Sequence, residues 1–349
     1  MDSILNNFAT FPDLILEILD FFSTDHLVAK KGSNPANPRS ISEFLQHYNG
    51  KFSHNKETQA LEPLVITKIC DKLCDMYVMI LISRGVVAPF TSTYAFSPSM
   101  DWGNTPRNLQ RLAVKKYECA VFGFSYIYNL YRSMIVPIIH YADNDDISIG
   151  TGFYWNGGIA TAKHCLENSK KIAIQHFPAE VLNKSEIFIS ENPKMDIAFI
   201  NADVQTTIPR HKQLIASESN PEIMDEVITM GYPKIPGFTQ FQTVEKATIS
   251  ALPQKRFAST TGEVAAIARE MWMKENLLLI TAKIKGGNSG GPVINKYGEL
   301  IGIVSEIPAF KGDYDDLGYG TAIPIKFLSE IMISKPTTLQ KTLFVDYVE

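Results

Sequence analysis

A glycine-rich loop around one serine constrains the fold of this chain more than any other stretch. The loop covers residues 285–292, KGGNSGGP, between the strand-like runs 276–283 and 293–295. Glycines allow a sharp turn and let backbone amides point into one small space, as in an oxyanion hole. A serine beside such amides is a candidate nucleophile for acyl transfer. The alternative interpretation is a glycine-rich hairpin with an incidental serine.

Two upstream segments supply the partners that such a serine needs. Residues 150–165, GTGFYWNGGIATAKHC, predict two strands around an Asn-Gly turn and include His164. Residues 194–200, KMDIAFI, place Asp196 at the start of an apolar strand. A nucleophilic serine needs an imidazole to accept its proton, and the imidazole needs a carboxylate that fixes its tautomer. The chain order His164, Asp196, Ser289 is that of the chymotrypsin-type double barrel and differs from that of subtilisins and α/β-hydrolases.

These segments resemble the conserved boxes of a known family. Residues 161–165 resemble the histidine box of trypsin-like serine proteases, residues 196–199 resemble their aspartate box, and residues 287–292 their serine box. Two further segments, MGYP at 230–233 and GYGTAIP at 318–324, are similar to the Deg/HtrA-like branch. The resemblance covers about residues 134 to 330. It implies an all-β, chymotrypsin-like double β-barrel in the C-terminal part of the chain.

The resemblance also implies a role for each site residue. Ser289 would attack the peptide carbonyl, His164 would accept and return the proton, and Asp196 would orient His164. The amides of Gly287 and Ser289 would hold the oxyanion.

Other residues near these boxes are less determined by the sequence. The strand at Val304 and Ser305 would lie beside the substrate backbone, as its equivalent does in the family. Rival residues for the triad, none of which lies in a matching box, are His176, His211 and Asp203. Two lysines flank the serine loop and either favour acidic substrate side chains or are simply solvated: Lys283 and Lys285.

Asn288 bears on activation. In zymogen-type trypsins this position holds an aspartate that pairs with a new N-terminal amine, and residues 132–136, RSMIV, lack the matching Gly-Gly. The resemblance therefore favours ordering of the loop by a ligand, a partner or a neighbouring subunit.

The N-terminal part, residues 1–103, has a mainly helical pattern. Predicted helices cover residues 8–22, 40–48, which begins with the capping box SISE, and 61–84, with a short hairpin at 85–97. This order of elements is similar to a winged-helix domain and suggests a sensor or adaptor.

The charge of this part argues against nucleic acid as its partner. Residues 1–103 contain 8 Lys and Arg and 11 Asp and Glu, a net charge of −3. A duplex-binding face concentrates positive charge against phosphates. We therefore expect a regulatory protein partner there, with homo-oligomer formation as a further candidate.

The remaining boundaries follow from changes in pattern. Residues 104–133 predict one long connector helix after Thr105-Pro106, residues 134–335 the protease domain, and residues 336–349 a C-terminal tail. The connector is interpreted either as a packed support or as a lever between domains.

Compartment and cofactors are predicted mostly from what the sequence lacks. The chain has four cysteines among 349 residues, and residues 1–22 carry four acidic and no basic residues, unlike a signal peptide. We expect a cytoplasmic location, no membrane span, no metal and no cofactor.

The sequence as a whole predicts a serine endopeptidase that cleaves proteins under the control of its N-terminal domain. Two other classes stay open. One is a catalytically silent protease fold used as a protein-binding module, and the other is a DNA-bound regulator with a protease effector domain. Labelling of Ser289 by a serine-directed probe would distinguish the first, and a basic face in the N-terminal domain would favour the second.

Overall fold

The computed structural model divides the chain into two compact units, Met1–Tyr126 and Ile127–Glu349. The residues that it describes are 13–23, 39–52, 61–84, 91–95, 105–141, 147–167, 170–202, 213–217, 219–234, 256–270, 274–305, 318–334, 337–338 and 343–347.

The first unit combines helices with a small antiparallel sheet. Its elements are α1 (Leu14–Phe22), β1 (Arg39–Ser40), α2 (Ile41–Phe52), α3 (Pro63–Asp75), β2 (Ile80–Ser83), β3 (Thr93–Ala95) and α4 (Arg107–Phe122). The strands pair in the order β1-β3-β2. Buried aromatic and aliphatic side chains such as Phe22, Phe44 and Tyr94 form its core. The predicted mainly helical N-terminal region is therefore present.

The capping box at the start of α2 is confirmed. The backbone N–H of Ser40 donates to the Glu43 carboxylate at 2.7 Å, and the N–H of Glu43 donates to the Ser40 hydroxyl at 3.2 Å. These reciprocal bonds satisfy two amides at the helix start.

The prediction of one helix over residues 61–84 is wrong at its C-terminal end. The helix ends at Asp75, and Tyr77 adopts a left-handed φ of 57°. The following residues 80–83, ILIS, form β2 because their β-branched side chains suit an extended strand. Of the predicted hairpin, residues 85–90 and 96–97 lie outside the described residues, as do residues 8–12 of the first predicted helix.

Ion pairs link α1 with α2 and α4. The carboxylate of Glu17 is only 5% exposed, and it accepts hydrogen bonds from Lys51 at 2.7 Å and from Arg107 at 2.9 Å. Arg111 adds a pair with Asp13 at 2.5 Å. Two cations compensate the buried Glu17, since a buried carboxylate without a partner would be costly.

The predicted single connector helix is divided in two. Gly123 has a φ of 75° and separates α4 from α5 (Phe124–Tyr131). Glycine reaches this conformation without strain and commonly ends a helix. A 3₁₀ turn at Arg132–Met134 then leads into the first strand of the second unit.

The second unit consists mainly of β-strands. Its strands are β4 (Ile135–Tyr141), β5 (Ile147–Trp155), β6 (Gly158–Thr161), β7 (Lys171–Ile174), β8 (Glu186–Ile189), β9 (Ala198–Asn201), β10 (Ile215–Ala216), β11 (Glu226–Gly231), β12 (Ala258–Arg269), β13 (Asn276–Ile280), β14 (Pro292–Asn295), β15 (Glu299–Ser305), β16 (Gly320–Pro324), β17 (Thr337–Thr338) and β18 (Leu343–Phe344). Two helices accompany them, α6 (Ala179–Lys184) and α7 (Lys326–Ile333).

These strands form two sheets. The order of the second sheet is β10-β15-β14-β11-β12-β13-β16, and β15 also pairs with β16. The β15–β16 pairing closes a six-stranded barrel from β11 to β16 without β10. The first sheet has the order β17-β8-β9-β6-β5-β4-β7-β18. The predicted β-barrel architecture is therefore present, and each sheet has its own apolar core.

Residues 336–349, which the sequence suggested as a tail, contribute strands to the first sheet. β17 pairs with β8 and β18 pairs with β7, at the two ends of the strand order. Phe344 is 2% exposed within the core, and its backbone is bonded on both sides by the Asn183 amide.

β12 was not predicted, since its sequence ASTTGEVAAIAR has no alternation of large apolar residues. The sequence also predicts a strand at 242–252, and these residues lie outside the described ones. Within the described residues, no helix is long and apolar enough to cross a membrane.

Candidate active site

The serine loop lies between β13 and β14 and depends on two glycines. Gly287 and Gly290 have φ angles of 96° and 85°. A Cβ at Gly287 would lie 2.4 Å from the carbonyl oxygen of Tyr232, and one at Gly290 would lie 2.1 Å from that of Thr151. Both the backbone conformation and the close approach therefore require glycine at these two positions.

Thr151, on β5, fastens this loop. Its hydroxyl donates to the carbonyl of Gly287 at 2.6 Å, and its backbone N–H donates to the carbonyl of Ser289 at 2.9 Å. The carbonyl groups of Gly287 and Ser289 therefore point toward β5. The N–H groups of the same peptide units, which belong to Asn288 and Gly290, point away from β5.

The amides of the loop differ in what they bind. The N–H of Asn288 donates to Lys285, and that of Gly290 donates to Val304 at 2.8 Å. Within the described part of the chain, the N–H groups of Gly287 and Ser289 donate to no protein acceptor. Two such donors beside a serine hydroxyl are the arrangement that stabilises a tetrahedral oxyanion.

His164 and Asp196 lie together. His164 is on a 3₁₀ turn, Lys163–Cys165, directly after β6, and Asp196 lies just before β9, the strand that pairs with β6. The Nδ1 atom of His164 is 2.7 Å from Oδ2 of Asp196, and the His164 backbone N–H donates to Oδ1 at 2.8 Å. This two-point contact fixes the imidazole so that Nε2 carries the basic lone pair in the neutral form.

Ser305 completes the environment of the carboxylate. Its hydroxyl donates to Oδ2 of Asp196 at 2.7 Å, and its own carbonyl accepts the Thr321 hydroxyl at 2.6 Å. Burial raises the pKa of Asp196, but the hydrogen bonds from His164 and Ser305 outweigh it and hold the pKa below its usual value. Asp196 is therefore ionised beside the imidazole at neutral pH.

The ionised carboxylate controls the imidazole. Burial lowers the pKa of His164, whereas the hydrogen bonds to Asp196 and Cys165 raise it more, so that it lies above its usual value. Burial and the nearby His164 lower the pKa of His140 to about 4. His140 therefore stays neutral at neutral pH.

Ser289 is close to this pair without being bonded to it. Cys165 Sγ lies 3.7 Å from Nε2 of His164 and 3.5 Å from the carbonyl oxygen of Ser289. Among the described residues the hydroxyl of Ser289 makes no hydrogen bond to His164. Catalytic hydrogen bonds are often long without substrate and tighten only in the complex.

The other predicted site residues are placed as follows. The N–H of Val304 already donates to Gly291 at 2.8 Å, which leaves it unavailable for a substrate strand. Ser305 lines a cavity together with Ser289. The rival His176 is exposed on a turn, and His211 and Asp203 lie outside the described residues.

Sequence reasoning missed three contacts of the site. Thr151 was not singled out, although it stands between Gly150 and Gly152, where close backbone approach is expected. The bond from Ser305 to Asp196 and the contact of Cys165 with the Ser289 carbonyl had no sequence signal. Among the described residues no group of three or more His, Cys, Asp or Glu could hold a metal ion.

The chain is similar to known proteases. Residues 150–303 match the trypsin-like peptidase domain family. The chain is 26% identical over 195 residues to the serine endoprotease DegS of Haemophilus influenzae, covering 54% of this chain and 52% of the relative. It is 31% identical over 192 residues to a probable periplasmic serine endoprotease DegP-like of Buchnera aphidicola subsp. Schizaphis graminum, covering 53% of this chain and 36% of the relative. The chain thus spans about half or less of the length of these relatives.

A serine endoprotease from Yersinia pestis is one of the solved structures that match part of the chain. The TM-score is 0.41 at 24% identity, covering 59% of this chain and 64% of that one.

The prediction of a cytoplasmic location is contradicted by these relatives, several of which are named as periplasmic endoproteases. That prediction relied on the small number of cysteines and on residues 1–22, whose four acidic and no basic residues are unlike a signal peptide.

The barrel and the matched relatives agree: residues 150–303 are similar to trypsin-like peptidase domains, and the chain is similar to the DegS and DegP-like serine endoproteases.

Proposed function

We propose that this chain is a serine endopeptidase that cleaves protein substrates with Ser289 as nucleophile, His164 as base and Asp196 as orienting carboxylate. The observation that carries the proposal is the His164–Asp196 pair at 2.7 Å, beside a loop whose Gly287 and Ser289 amides have no acceptor among the described residues.

The first chemical step is acylation. The Ser289 hydroxyl attacks the substrate carbonyl while Nε2 of His164 takes its proton, and Asp196 stabilises the imidazolium that forms. The amides of Gly287 and Ser289 hold the oxyanion, and losing one such donor costs about a hundredfold or more in rate.

Two further transfers complete the reaction. His164 gives its proton to the leaving amine, which releases the first product and leaves the acyl group on Ser289. Water then attacks the ester while His164 again accepts a proton, and the second product departs with Ser289 restored. Since the base must be neutral to start, the rate rises as pH increases through the pKa of His164.

In this proposal, the contact between His164 and Cys165 belongs to the resting state of the enzyme. Nε2 of His164 rests 3.7 Å from Cys165 Sγ, and the approach of Nε2 to the Ser289 hydroxyl would form the productive hydrogen bond. Substrate, a regulatory partner or a second copy of the chain would favour that approach.

For the first unit we propose a winged-helix fold with a regulatory protein as its partner. Two features support the fold. The first three of the four helices alternate with the strands in the order α1-β1-α2-α3-β2-β3, and the sheet has the order β1-β3-β2, with α3 in the place of the second helix of a helix-turn-helix. On α3, Lys72 donates to the carbonyl of Val121, and Asp71 accepts the Tyr94 hydroxyl. This lysine therefore serves the fold of the unit, and the net charge of −3 favours protein over nucleic acid.

Probe labelling tests the proposed activity. The chain is treated with a fluorophosphonate, which reacts with activated serines, and the modified peptide is identified by mass spectrometry. We expect modification at Ser289, none in Ser289→Ala, and strongly reduced modification in His164→Ala. His176→Ala, a histidine outside the site, serves as the matched control and should label like the unchanged chain.

The alternatives give other outcomes. If Ser289 remains unlabelled both in the chain alone and with extract from the source cells, the proposed endopeptidase activity is refuted. The interpretation of the domain as a protein-binding module then takes its place. Labelling only with extract would support control by a partner, which could then be isolated on the first unit.

A further inference from the structure

Cys165 is a buried thiol that lies directly against the candidate base. It is 2% exposed and belongs to the same 3₁₀ turn as His164. Its Sγ lies 3.7 Å from Nε2 of His164 and 3.5 Å from the carbonyl oxygen of Ser289. The chemical steps proposed above do not use this thiol, although it contacts both residues between which the proton must move.

Gly150, on β5, makes room for the sulfur. A Cβ at Gly150 would lie 2.5 Å from Sγ of Cys165 and 3.2 Å from Nε2 of His140. Any other residue at position 150 would therefore displace the sulfur from its contacts or distort the strand. The position of the thiol is thus set by β5 as well as by its own turn.

His164 can serve only one partner through Nε2. Its Nδ1 is already 2.7 Å from Oδ2 of Asp196. Nε2 has one lone pair when the imidazole is neutral and one proton when it is charged. The Cys165 thiol and the Ser289 hydroxyl therefore compete for the same position. Of these two groups, the thiol is the one that is bonded to Nε2 in the part of the chain that the structure describes.

The thiol suits both protonation states of the imidazole. Its S–H can donate to neutral Nε2 or to the carbonyl of Ser289, and its sulfur can accept the proton of charged Nε2. Burial lowers the pKa of His164, but the hydrogen bond to Asp196 and then that to Cys165 raise it above its usual value. The thiol therefore favours the charged imidazole, which cannot accept a proton from serine.

The other groups around the imidazole act from other sides. Asp196, before β9, holds Nδ1, and the hydroxyl of Ser305 on β15 donates to the same carboxylate. Burial and the nearby His164 lower the pKa of His140 on β4 to about 4, so His140 adds no charge at neutral pH. Removal of the Cys165 thiol would change the partner of Nε2 and leave these three groups in place.

We propose that Cys165 is a positioning residue that holds Nε2 of His164 in competition with the Ser289 hydroxyl, and that the thiol thereby restrains the reaction until substrate or a partner displaces it. The proposal rests on the proposed function for the roles of Ser289 and His164. It predicts a result that a merely structural cysteine would not give, since loss of the thiol should make the site react faster.

Titration of the imidazole tests the contact without turnover. The chain is prepared with isotope-labelled histidine, the ring signals of His164 are identified by their loss in His164→Ala, and their titration midpoint is measured by NMR. We expect the midpoint to move to lower pH in Cys165→Ala, because the charged imidazole loses the sulfur that accepts its proton. Cys165→Val, which removes the thiol but fills its space, should move the midpoint in the same direction.

Two further variants assign the shift to the thiol. Cys165→Ser keeps a hydroxyl that can donate and accept, so its midpoint should stay closer to that of the unchanged chain. Cys74→Ala removes a partly buried thiol of the first unit and is the matched control. Its midpoint and its labelling should equal those of the unchanged chain.

Labelling rates test the restraint. Near neutral pH, Cys165→Ala should react with the fluorophosphonate at Ser289 roughly twofold to tenfold faster than the unchanged chain, which is the factor that one hydrogen bond accounts for. The acid limb of the rate profile should move to lower pH together with the His164 midpoint. An unchanged midpoint, or labelling that is equal or slower, would overturn the proposal.

The two measurements also separate this proposal from the proposed function. Labelling of Cys165→Ala where the unchanged chain does not react would support both. If neither chain labels at Ser289, the endopeptidase activity fails, and the comparison of midpoints still decides whether Cys165 controls the imidazole.

Discussion

Replacing one glycine of the serine loop should disrupt it, whereas replacing another should not. A Cβ at Gly290 would lie 2.1 Å from the carbonyl oxygen of Thr151 and 2.3 Å from the hydroxyl of Thr161. These two atoms are themselves joined by a 2.7 Å hydrogen bond, so neither can move away independently. At Gly286, in the same loop, a Cβ would meet no described atom within 4 Å.

The magnitude follows from two contributions. An alanine with the φ of 85° found at Gly290 costs about 1–2 kcal/mol. Forcing a methyl group into a packed site costs about 1–3 kcal/mol more. We therefore expect Gly290→Ala to destabilise the loop and its strands by roughly 2–5 kcal/mol, whereas Gly286→Ala, at an exposed position, should stay within about 0.5 kcal/mol.

Hydrogen exchange measures this loss locally. Peptides that span residues 290–305 report the opening free energy of β14 and β15, and fluorophosphonate labelling reports the geometry of Ser289. Gly290→Ala should lose protection in these peptides and lose labelling, and Gly286→Ala should keep both. Equal protection and labelling in the two variants would refute the link between the left-handed glycine and the site.

Three further changes test other parts of the second and first units. Ser305→Ala removes a hydrogen bond from the buried Asp196 and should lower the free energy of unfolding by about 1.5–3 kcal/mol at pH 7. Because the pKa of Asp196 is depressed in the folded state, this difference should shrink as the pH falls through that pKa. Urea unfolding at several pH values would measure it. Phe344→Ala should lower the free energy of unfolding by about 3–5 kcal/mol, because the side chain is buried. Its neighbour Leu343 is exposed, so Leu343→Ala should lower it by less than about 0.5 kcal/mol. Thermal unfolding of both variants checks these values. Burial raises the pKa of Glu118 to about 7, so the first unit should lose stability as pH rises toward and through 7. Glu118→Gln should remove this pH dependence of stability. If the variant and the unchanged chain have the same pH dependence, the burial of the carboxyl is contradicted.

The residues of the candidate site that the sequence predicts are those that lie in short contiguous segments with a recognisable local pattern. His164 follows an Asn-Gly hairpin, Asp196 precedes an apolar strand, and Ser289 lies in a run of glycines, so each has a local pattern. The contacts that fasten these segments lack such a pattern. Thr151 reaches Gly287 across 136 residues of sequence, and Ser305 reaches Asp196 across 109. Such long-range contacts form only when the barrel closes, and no local periodicity of apolar residues in the sequence predicts them.

Errors in the fold have the same origin. The apolar spacing of residues 61–84 fits a helix throughout, but the chain turns at Tyr77, and Ile80 joins a sheet whose partner strand, β3, lies at 93–95. Tertiary pairing overrides the local period there. The C-terminal strands were missed for a related reason, since two-residue strands carry no periodicity and are stabilised only by the edges that they join.

The serine loop also shows what kind of activation the domain would need. Asn288 is 7% exposed, and its Oδ1 has no hydrogen-bond partner among the described residues. An unsatisfied amide oxygen costs about 1–3 kcal/mol, whereas a buried carboxylate left without a partner costs about 3–5 kcal/mol, so an aspartate here would require an incoming cation and an asparagine does not. The loop instead holds its shape through two left-handed glycines and the hydrogen bonds of Thr151. In the proposed mechanism, the step left for an activator would be the approach of His164 to the Ser289 hydroxyl, which would place control at the imidazole and not at a buried ion pair.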